Sequence, residues 1–236
     1  MTGNMKQLKL FKSISLAYEE IRVFEDFSLE VPEGEITCIV GPSGCGKTSI
    51  LNILAGLVEV TTGQVDKVDA IVGYIFQEDR LLPWETVYNN IRIVRDQEDS
   101  LAIMSILSAL EIDEFAHSYP RQLSGGMRQR CSIARGFYYH ASLLLMDEPF
   151  KSLDYDLRLN LCAYLVKLWE KNRNTIIFVT HDIDEALLLG HRIVVLSKRP
   201  TQVEQVFNIA TAPSKRNILD EEHVNLRGKI IDLMTE

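Results

Sequence analysis

A glycine-rich segment carries the clearest chemical signal in the sequence. It reads Gly41-Pro42-Ser43-Gly44-Cys45-Gly46-Lys47-Thr48 and fits the pattern G-x-x-x-x-G-K-[ST]. Glycines let backbone N–H groups curl round phosphate oxygens, and a following helix points its positive end at the same oxygens. Lys47 adds a mobile positive charge, and the Thr48 hydroxyl is a ligand for Mg²⁺. We therefore predict that residues 41–49, the last being Ser49, bind a nucleoside triphosphate, since a chance glycine-rich turn would lack the flanking strand and helix.

Cys45 lies inside this loop, just before the start of the predicted helix. A helix N-terminus favours the thiolate form of cysteine. On that interpretation a thiol reagent would inhibit the protein and ATP would protect it. The alternative is that Cys45 is only a small residue that fills space.

Two adjacent acids follow a short apolar run. Asp147 and Glu148 come directly after residues 143–146, which predict a buried strand. In open parallel sheets, ligands bind at the carboxyl edge where such strands end. We expect Asp147 to hold Mg²⁺ or its water, and Glu148 to act as general base toward the attacking water. Alternatively, the two acids only cap the turn before Pro149.

A second possible phosphate site follows Leu123. Ser124, Gly125 and Gly126 precede a helical run, which is the arrangement of an anion site at a helix N-terminus. The simpler interpretation is a helix cap with a flexible Gly-Gly lead. A chain with one phosphate loop does not need a second site for itself, but a second copy of the chain does.

These residues fall at the ends of predicted secondary structure elements. Short apolar runs predict buried strands at residues 35–40, 70–76, 143–146, 175–179 and 193–196, with helical segments between them. Strands that alternate with helices imply a parallel sheet covered on both faces. Before them, residues 7–17 and 23–31 alternate loosely and predict an antiparallel pair.

Helical periodicity is clearest in the middle and at the end of the chain. Residues 78–139 predict a helical region, with one apolar stripe formed by Leu101, Met104, Leu107, Ser108 and Leu110. Residues 221–234 predict a terminal amphipathic helix with Val224, Ile230, Ile231 and Leu233 on its apolar face.

The composition excludes several classes of protein. The chain has 33 acidic against 25 basic residues, a net charge of −8, which argues against a nucleic-acid binder. No apolar run approaches the roughly 20 residues that a membrane span needs, and no signal peptide is expected. The four cysteines show no metal-site spacing and fit reduced thiols in the cytoplasm.

The segment from Leu123 to Gln129 resembles the signature motif of the ATP-binding cassette (ABC) ATPases. The resemblance runs from about Leu8 to Pro200, with the family's other motifs in the family's order. The matching positions are Gln77 in the Q-loop, Ser152-Leu153-Asp154 in the D-loop, the switch histidine His181, and Tyr18, the aromatic that stacks on adenine. For stacking, Phe11 and Phe24 are alternatives, and Tyr18 could instead be a core aromatic. His181 could be an ordinary surface or core histidine.

The resemblance implies an α/β fold made of a P-loop NTPase core, an N-terminal antiparallel β lobe and an inserted helical lobe. It implies a single ABC ATPase domain. Its core spans residues 1–77 and 141–200, its helical lobe residues 78–140, and its tail residues 201–236, ending in a helix.

It also implies a homodimer with ATP and Mg²⁺ held between two copies. One copy contributes Tyr18 and the loop from Gly41 to Ser49, and the other contributes Ser124, Gly125, Gly126 and Asp154. The implied catalytic residues are Lys47, Gln77, Glu148 and His181, and the implied metal ligands are Thr48, Gln77 and Asp147.

Apolar side chains crowd a predicted surface loop after Gln77. Leu81, Leu82 and Trp84 flank Pro83, and either pack in the helical lobe or form a groove for a helix of a membrane subunit. This stretch resembles ABC importers of the nitrate, sulfonate, taurine and thiamine-precursor group. The resemblance implies transmembrane permease subunits, a separate substrate-binding protein, and a place on the inner face of the cell membrane.

The sequence departs from the family pattern at two places. Lys151 precedes the D-loop where the family usually has a different residue, and Gly190-His191-Arg192 replaces the usual Ala-Asp-Arg; neither is a catalytic position.

Three other functions would each be marked by a different sequence feature. A soluble ABC ATPase would carry a coiled-coil insertion or a second cassette. A GTPase would carry an Asn-Lys-x-Asp motif, and a small-molecule kinase would not need the signature motif. A non-catalytic cassette would lack one of the catalytic residues.

Overall fold

The computed structural model describes residues 7–66 and 70–235. Nine strands and seven α-helices lie in these ranges. The strands are β1 (Gln7–Tyr18), β2 (Ile21–Pro32), β3 (Ile36–Val40), β4 (Thr62–Val65), β5 (Val72–Ile75), β6 (Leu143–Asp147), β7 (Thr175–Val179), β8 (Arg192–Leu196) and β9 (Val203–Asn208). The helices are α1 (Lys47–Leu54), α2 (Val87–Arg92), α3 (Ser100–Ala109), α4 (Gly125–Tyr138), α5 (Tyr155–Asn172), α6 (Ile183–Leu189) and α7 (Glu221–Thr235).

A six-stranded sheet with the order β5-β6-β7-β3-β8-β9 forms the centre of the molecule. Its first five strands run parallel, and β9 pairs antiparallel with β8 at one edge. All five strands predicted for a parallel sheet are therefore confirmed. The edge strand β9 was not predicted, because its mostly exposed residues lack the apolar run that marks a buried strand.

A second sheet of three strands, in the order β2-β1-β4, lies N-terminal to the helical region. The β1–β2 hairpin is antiparallel, as the sequence predicts. The short strand β4 was missed, because its four residues include Gly63 and no buried side chain.

The two faces of the central sheet belong to two separate cores. Along β3, Ile36, Cys38 and Val40 face a core shared with α3 to α7, while Ile39 faces a core shared with α1 and the antiparallel sheet. The same alternation holds in β6, β7 and β8. The sheet is thus covered on both faces, so its free carboxyl edge is the place where a ligand can reach the strand ends.

The helical lobe consists of α2, α3 and α4, and the apolar stripe predicted on α3 is only partly right. Leu107 and Leu110 are buried as predicted, whereas Leu101 is 83% exposed, Met104 is 39% exposed and Ser108 is exposed. The other buried positions of α3 are Ile103 and Ile106, which the stripe does not include, because α3 is apolar nearly all round and its periodicity is weak.

The terminal helix α7 is confirmed, with one change to its buried face. Ile230 is fully buried and Leu226, Leu233 and Met234 pack beside it, while Val224 is 54% exposed. Among the described residues, no helix combines the length and the apolar character that crossing a membrane requires. Residues 1–6 and 236, which belong to the predicted core and tail, lie outside the described residues; the domain boundaries stay a prediction.

Candidate functional site

The phosphate loop, residues 41–48, leaves β3 at the carboxyl edge of the sheet and enters α1. Gly44 and Gly46 have positive φ angles of 75° and 105°, a region that residues with a side chain rarely adopt. A Cβ atom on Gly46 would also lie 2.6 Å from Val23 and 3.0 Å from Phe24. Because Gly46 is the N-cap of α1 and has no side chain, the free N–H groups of the first turn stay open to an anion.

Lys47 lies across this loop with its charge held by backbone oxygens. It is 7% exposed, and its Nζ atom donates to Gly41 O at 2.8 Å and to Pro42 O at 2.9 Å. Two carbonyls stabilise the ammonium group without neutralising it. The loop therefore presents a net positive charge beside open N–H groups, which suits a polyphosphate.

Cys45 is buried beneath the loop and not presented to solvent. It is 1% exposed, and burial raises its pKa against the opposing charge of Lys47. The expectation of a reactive thiolate was wrong, because the side chain points into the core between the loop and β8, where it approaches Gly41. Cys45 fills space, which is the alternative that the sequence had left open.

The segment after β8 braces the phosphate loop from behind. Thr201 is fully buried, its hydroxyl donates to Cys45 O, and its N–H donates to Val23 O at 2.8 Å. The Arg199 guanidinium lies 3.3 Å from where a Cβ of Gly44 would be. Neither residue could be predicted, because both are more than 150 positions away from the loop and no local motif marks them.

Asp147 ends β6 in the interior, close to the phosphate loop. It is 3% exposed; burial raises its pKa, and a hydrogen bond from the Thr48 hydroxyl partly offsets this effect. A carboxylate and a hydroxyl side by side are hard oxygen ligands of the kind that Mg²⁺ prefers. Two of the three predicted metal ligands, Thr48 and Asp147, are thus together, and their donor set fits the ion.

Glu148 follows Asp147 in a left-handed conformation, with φ 44°. Its Oε1 atom lies 3.2 Å from Nδ1 of His181, and its Oε2 atom lies 2.8 Å from Nζ of Lys151. Burial acts to raise the pKa of Glu148, but the hydrogen bond from Lys151 and the charge of His181 outweigh it, so the pKa is lowered. The predicted base and the predicted switch histidine therefore meet, although they are 33 positions apart.

Lys151, whose Nζ atom lies 2.8 Å from Oε2 of Glu148, was not predicted to take part in the site. A usable signal was present, since a lysine three positions after an acid in a turn can fold back onto it.

Gln77 and Tyr18 both lie at the surface. Gln77 is exposed directly beyond β5, the strand that neighbours β6. Tyr18 is 45% exposed at the end of β1, whereas the alternatives Phe11 and Phe24 are each 1% exposed and cannot receive a ligand. Of these three aromatic residues, only Tyr18 offers a free ring face.

Ser124 and Asp154 each begin a helix. Ser124 Oγ accepts from Met127 N at 3.3 Å at the start of α4, and Asp154 Oδ1 accepts from Leu157 N at 3.0 Å at the start of α5. Both residues thus fill the simple capping role. Within the described ranges, no hydrogen bond or ion pair joins residues 124–126 to the phosphate loop of the same chain. Gly125 nevertheless stays exposed, so the first turn of α4 is accessible from outside.

The fold and this arrangement define a class, the P-loop nucleotide-binding proteins. The family model described as ABC transporter matches residues 24–151. The aliphatic sulfonates import ATP-binding protein of Pseudomonas savastanoi is 42% identical over 184 residues, which cover 78% of each chain. Its counterpart from Bacillus cereus is 36% identical over 230 residues, or 93% of this chain and 91% of that one.

Solved structures agree with the family model. A dimeric bacterial ABC transporter cassette superposes with a TM-score of 0.77 at 29% identity, covering 86% of this chain and 100% of that one. The same cassette in a post-hydrolysis state, bound to ADP and Pi, superposes with a TM-score of 0.75. The chain belongs to the ABC transporter family and is an ATP-binding, ATP-hydrolysing cassette. The predicted fold class is confirmed.

Proposed function

We propose that this chain powers the import of a small sulfonate-type anion through separate membrane subunits. The observation that carries the proposal is the similarity, over most of both chains, to ATP-binding proteins named for aliphatic sulfonate import.

ATP is placed by the phosphate loop and the β1–β2 hairpin. The N–H groups of residues 44–48 surround the β- and γ-phosphates, and Lys47 moves its ammonium group from the Gly41 and Pro42 carbonyls toward them. Pro42, Ser43 and Ser49 complete the wall of this loop. Tyr18 stacks its exposed ring on the adenine.

Mg²⁺ would be held by Thr48, Asp147 and Gln77. When bound, the ion neutralises charge that builds up on the phosphate oxygens. The burial of Asp147 beside Thr48 supports this assignment, because a buried carboxylate without a cation is costly.

Hydrolysis relies on the side chains around Glu148. As general base, Glu148 takes a proton from the attacking water, while His181 and Gln77 hold that water in line with the γ-phosphate. The short contact between Glu148 and His181 supports a shared task. The lowered pKa keeps the Glu148 carboxylate ionised and able to accept a proton.

Two copies share each nucleotide. We infer that Ser124, Gly125, Gly126 and Asp154 of one copy face the phosphate loop of the other, since in the part of the chain that the structure describes no hydrogen bond links the start of α4 to that loop. The solved dimers of a similar cassette support a homodimer. ATP closes the pair through contacts with both copies, and hydrolysis removes those contacts.

The membrane partner docks on the apolar loop, residues 81–84. Trp84 is 69% exposed, and Leu82 is only partly buried. The buried amide of Asn90 fixes the loop, because it accepts from Leu82 N at 2.8 Å and donates to Leu82 O, Glu85 O and Thr86 O. A rigid loop with an exposed indole suits a helix of a permease subunit on the inner face of the membrane.

Mixed dimers test the shared site. Lys47→Ala removes the phosphate-loop lysine, and Ser124→Arg blocks the start of α4, so each variant alone should be inactive. A one-to-one mixture contains heterodimers in which one site has an intact loop from one copy and an intact α4 from the other. We expect hydrolysis to return in the mixture, to at most about a quarter of the wild-type rate, since random pairing makes half of the dimers heterodimers and each of these has one intact site of two. A mixture as inactive as its components would refute the shared site.

Growth tests the substrate class. Cells that lack this chain should fail to grow on an alkanesulfonate as the only sulfur source and should grow normally on sulfate. Complementation with the wild-type chain should restore growth, and complementation with Lys47→Ala should not. Growth of the deletion strain on the sulfonate would reject this substrate.

A further inference from the structure

An ion pair joins the loop after β5 to the first turn of α4. Nε of Arg128 lies 2.9 Å from Oδ2 of Asp79, and both side chains are about two-thirds covered, with relative exposures of 38% and 31%. Nη1 of Arg128 also donates to Leu123 O at 2.9 Å. One guanidinium therefore holds both the residue before Ser124 and a residue two positions after Gln77.

A second arginine of α4 holds the same loop by its backbone. Arg135 donates from Nη1 to Arg80 O at 3.0 Å and from Nη2 to Asp79 O at 3.2 Å. A planar guanidinium that binds two consecutive carbonyls fixes their orientation as well as their distance. The loop is therefore held to α4 at two places, by Arg128 and by Arg135.

The other side of the loop is tied to the helix of the phosphate loop. The guanidinium of Arg80 lies 3.7 Å above the ring of Phe76, which stacks on Tyr74 at a centroid distance of 3.9 Å. The Tyr74 hydroxyl donates to Oδ1 of Asn52 on α1 at 3.1 Å. Direct contacts thus run from α1, through the loop that carries Gln77, to the start of α4.

We propose that the Asp79–Arg128 pair couples the two nucleotide sites of the dimer to each other. The proposal rests on the proposed function, in which Gln77 faces the nucleotide on its own phosphate loop and residues 124–126 face the nucleotide on the other copy. A shift of the Gln77 loop at one site is then carried through Arg128 to Ser124 at the other. We assign Asp79 and Arg128 a positioning role, because their contacts are with each other and with the Leu123 carbonyl before Ser124.

The readout is cooperativity in ATP hydrolysis by the purified chain. With two linked sites, the Hill coefficient for wild type lies above 1 and can approach about 2. We expect Arg128→Met and Asp79→Asn each to lower it to about 1 and to raise the half-saturating ATP concentration by roughly fivefold. Asp79→Asn keeps an oxygen for Leu81 N, so it tests the ion pair with little risk to the fold.

The double variant separates a coupled pair from two independent effects. If the two residues act only through each other, Arg128→Met combined with Asp79→Asn lowers the Hill coefficient no further than either change alone. An unchanged Hill coefficient in Asp79→Asn, or effects that add in the double variant, would overturn the proposal.

A matched control is available on α7, outside the loop after β5 and outside α4. Nε of Arg227 lies 2.9 Å from Oδ1 of Asp184 and joins α7 to α6 with the same geometry. Arg227→Met should leave the Hill coefficient unchanged. A Hill coefficient of about 1 in Arg227→Met would show that loss of cooperativity follows from general destabilisation, and would overturn the proposal. A wild-type chain that neither dimerises with ATP nor shows cooperativity would instead overturn the proposed function.

Discussion

Glu148 shows how much of the chemistry depends on a single side chain and its two neighbours. Its left-handed backbone turns the carboxylate out of the end of β6, toward His181 on one oxygen and Lys151 on the other. Both neighbours favour the ionised form, so the group is ready to accept a proton. Replacing the carboxylate by an amide keeps its size and removes its basicity.

We expect Glu148→Gln to bind ATP as wild type does and to hydrolyse it about 10²- to 10⁴-fold more slowly, the usual contribution of a general base. Because closure depends on ATP and reopening on hydrolysis, dimers should accumulate when ATP is present. Nucleotide titration, turnover assays and size-exclusion chromatography measure the three effects. Wild-type turnover in the variant would reject Glu148 as the base.

Thr201 supports the phosphate loop from behind. Its buried hydroxyl is the partner of the Cys45 carbonyl, and its N–H ties the same position to β2. Thr201→Val keeps the shape but leaves that carbonyl unpaired, which costs on the order of 1 kcal/mol. We expect ATP affinity to fall roughly fivefold, measured by titration with a fluorescent ATP analogue.

Thr201→Ser is the matched control, since it keeps the hydroxyl and should keep the affinity. If the valine variant folds and binds ATP like wild type, Thr201 does not position the loop.

At the scale of elements, His191 joins the starts of β3 and β8. Its imidazole Nδ1 accepts from Ile36 N at 3.2 Å, and its backbone N–H donates to Ile36 O at 2.8 Å. The centroid of its ring lies 4.3 Å from that of the Trp169 ring. Burial, with the charges of Arg216 and Arg173, lowers the pKa of His191 to about 4. The imidazole is thus neutral in the folded chain wherever the pH is above that value.

This lowered pKa predicts a pH dependence of stability. Below pH 6.5, the usual pKa, the unfolded chain takes up a proton that the folded chain refuses until about pH 4. The free energy of unfolding is therefore unaffected by this group above pH 6.5 and decreases as the pH falls from 6.5 to about 4. The decrease is on the order of 1 kcal/mol, because part of the ring meets solvent. Urea unfolding between pH 4 and 7 should show a smaller loss for His191→Asn than for wild type; equal losses would contradict the prediction.

At the scale of the whole molecule, the ATP site and the apolar loop lie on one connected set of elements. The loop that carries Gln77 continues into residues 81–84, which Asn90 holds to α2. The exposed Trp84 makes no ring contact with a neighbour among the described residues. It is therefore available to another protein without a role in the fold.

We expect Trp84→Ala to leave the stability of the isolated chain within about 0.5 kcal/mol of wild type, as for most surface changes. Its ATP hydrolysis without the permease should also be unchanged. Import in cells should fall severalfold, measured by uptake of a labelled sulfonate. Undiminished uptake would place the docking surface elsewhere.

The strands of the central sheet could be predicted only in part, and their order could not be predicted from the sequence at all. The alternation of short apolar runs with helices was enough for the parallel strands, because each buried strand is written in consecutive residues. The edge strand β9 and the exposure of Leu101 could not be predicted in this way. Exposed strands and helices that are apolar all round lack the contrast on which periodicity depends.

The sequence by itself determined the chemistry at the strand ends, the loop at residues 41–48 and the acids Asp147 and Glu148, because those groups are contiguous. Tertiary structure alone decided that Thr201 holds Cys45, that His181 reaches Glu148, and that Arg128 holds Asp79. The physical reason is that such contacts depend on the strand order β5-β6-β7-β3-β8-β9, which brings distant segments to one edge. No local pattern of residues records which segments become neighbours there.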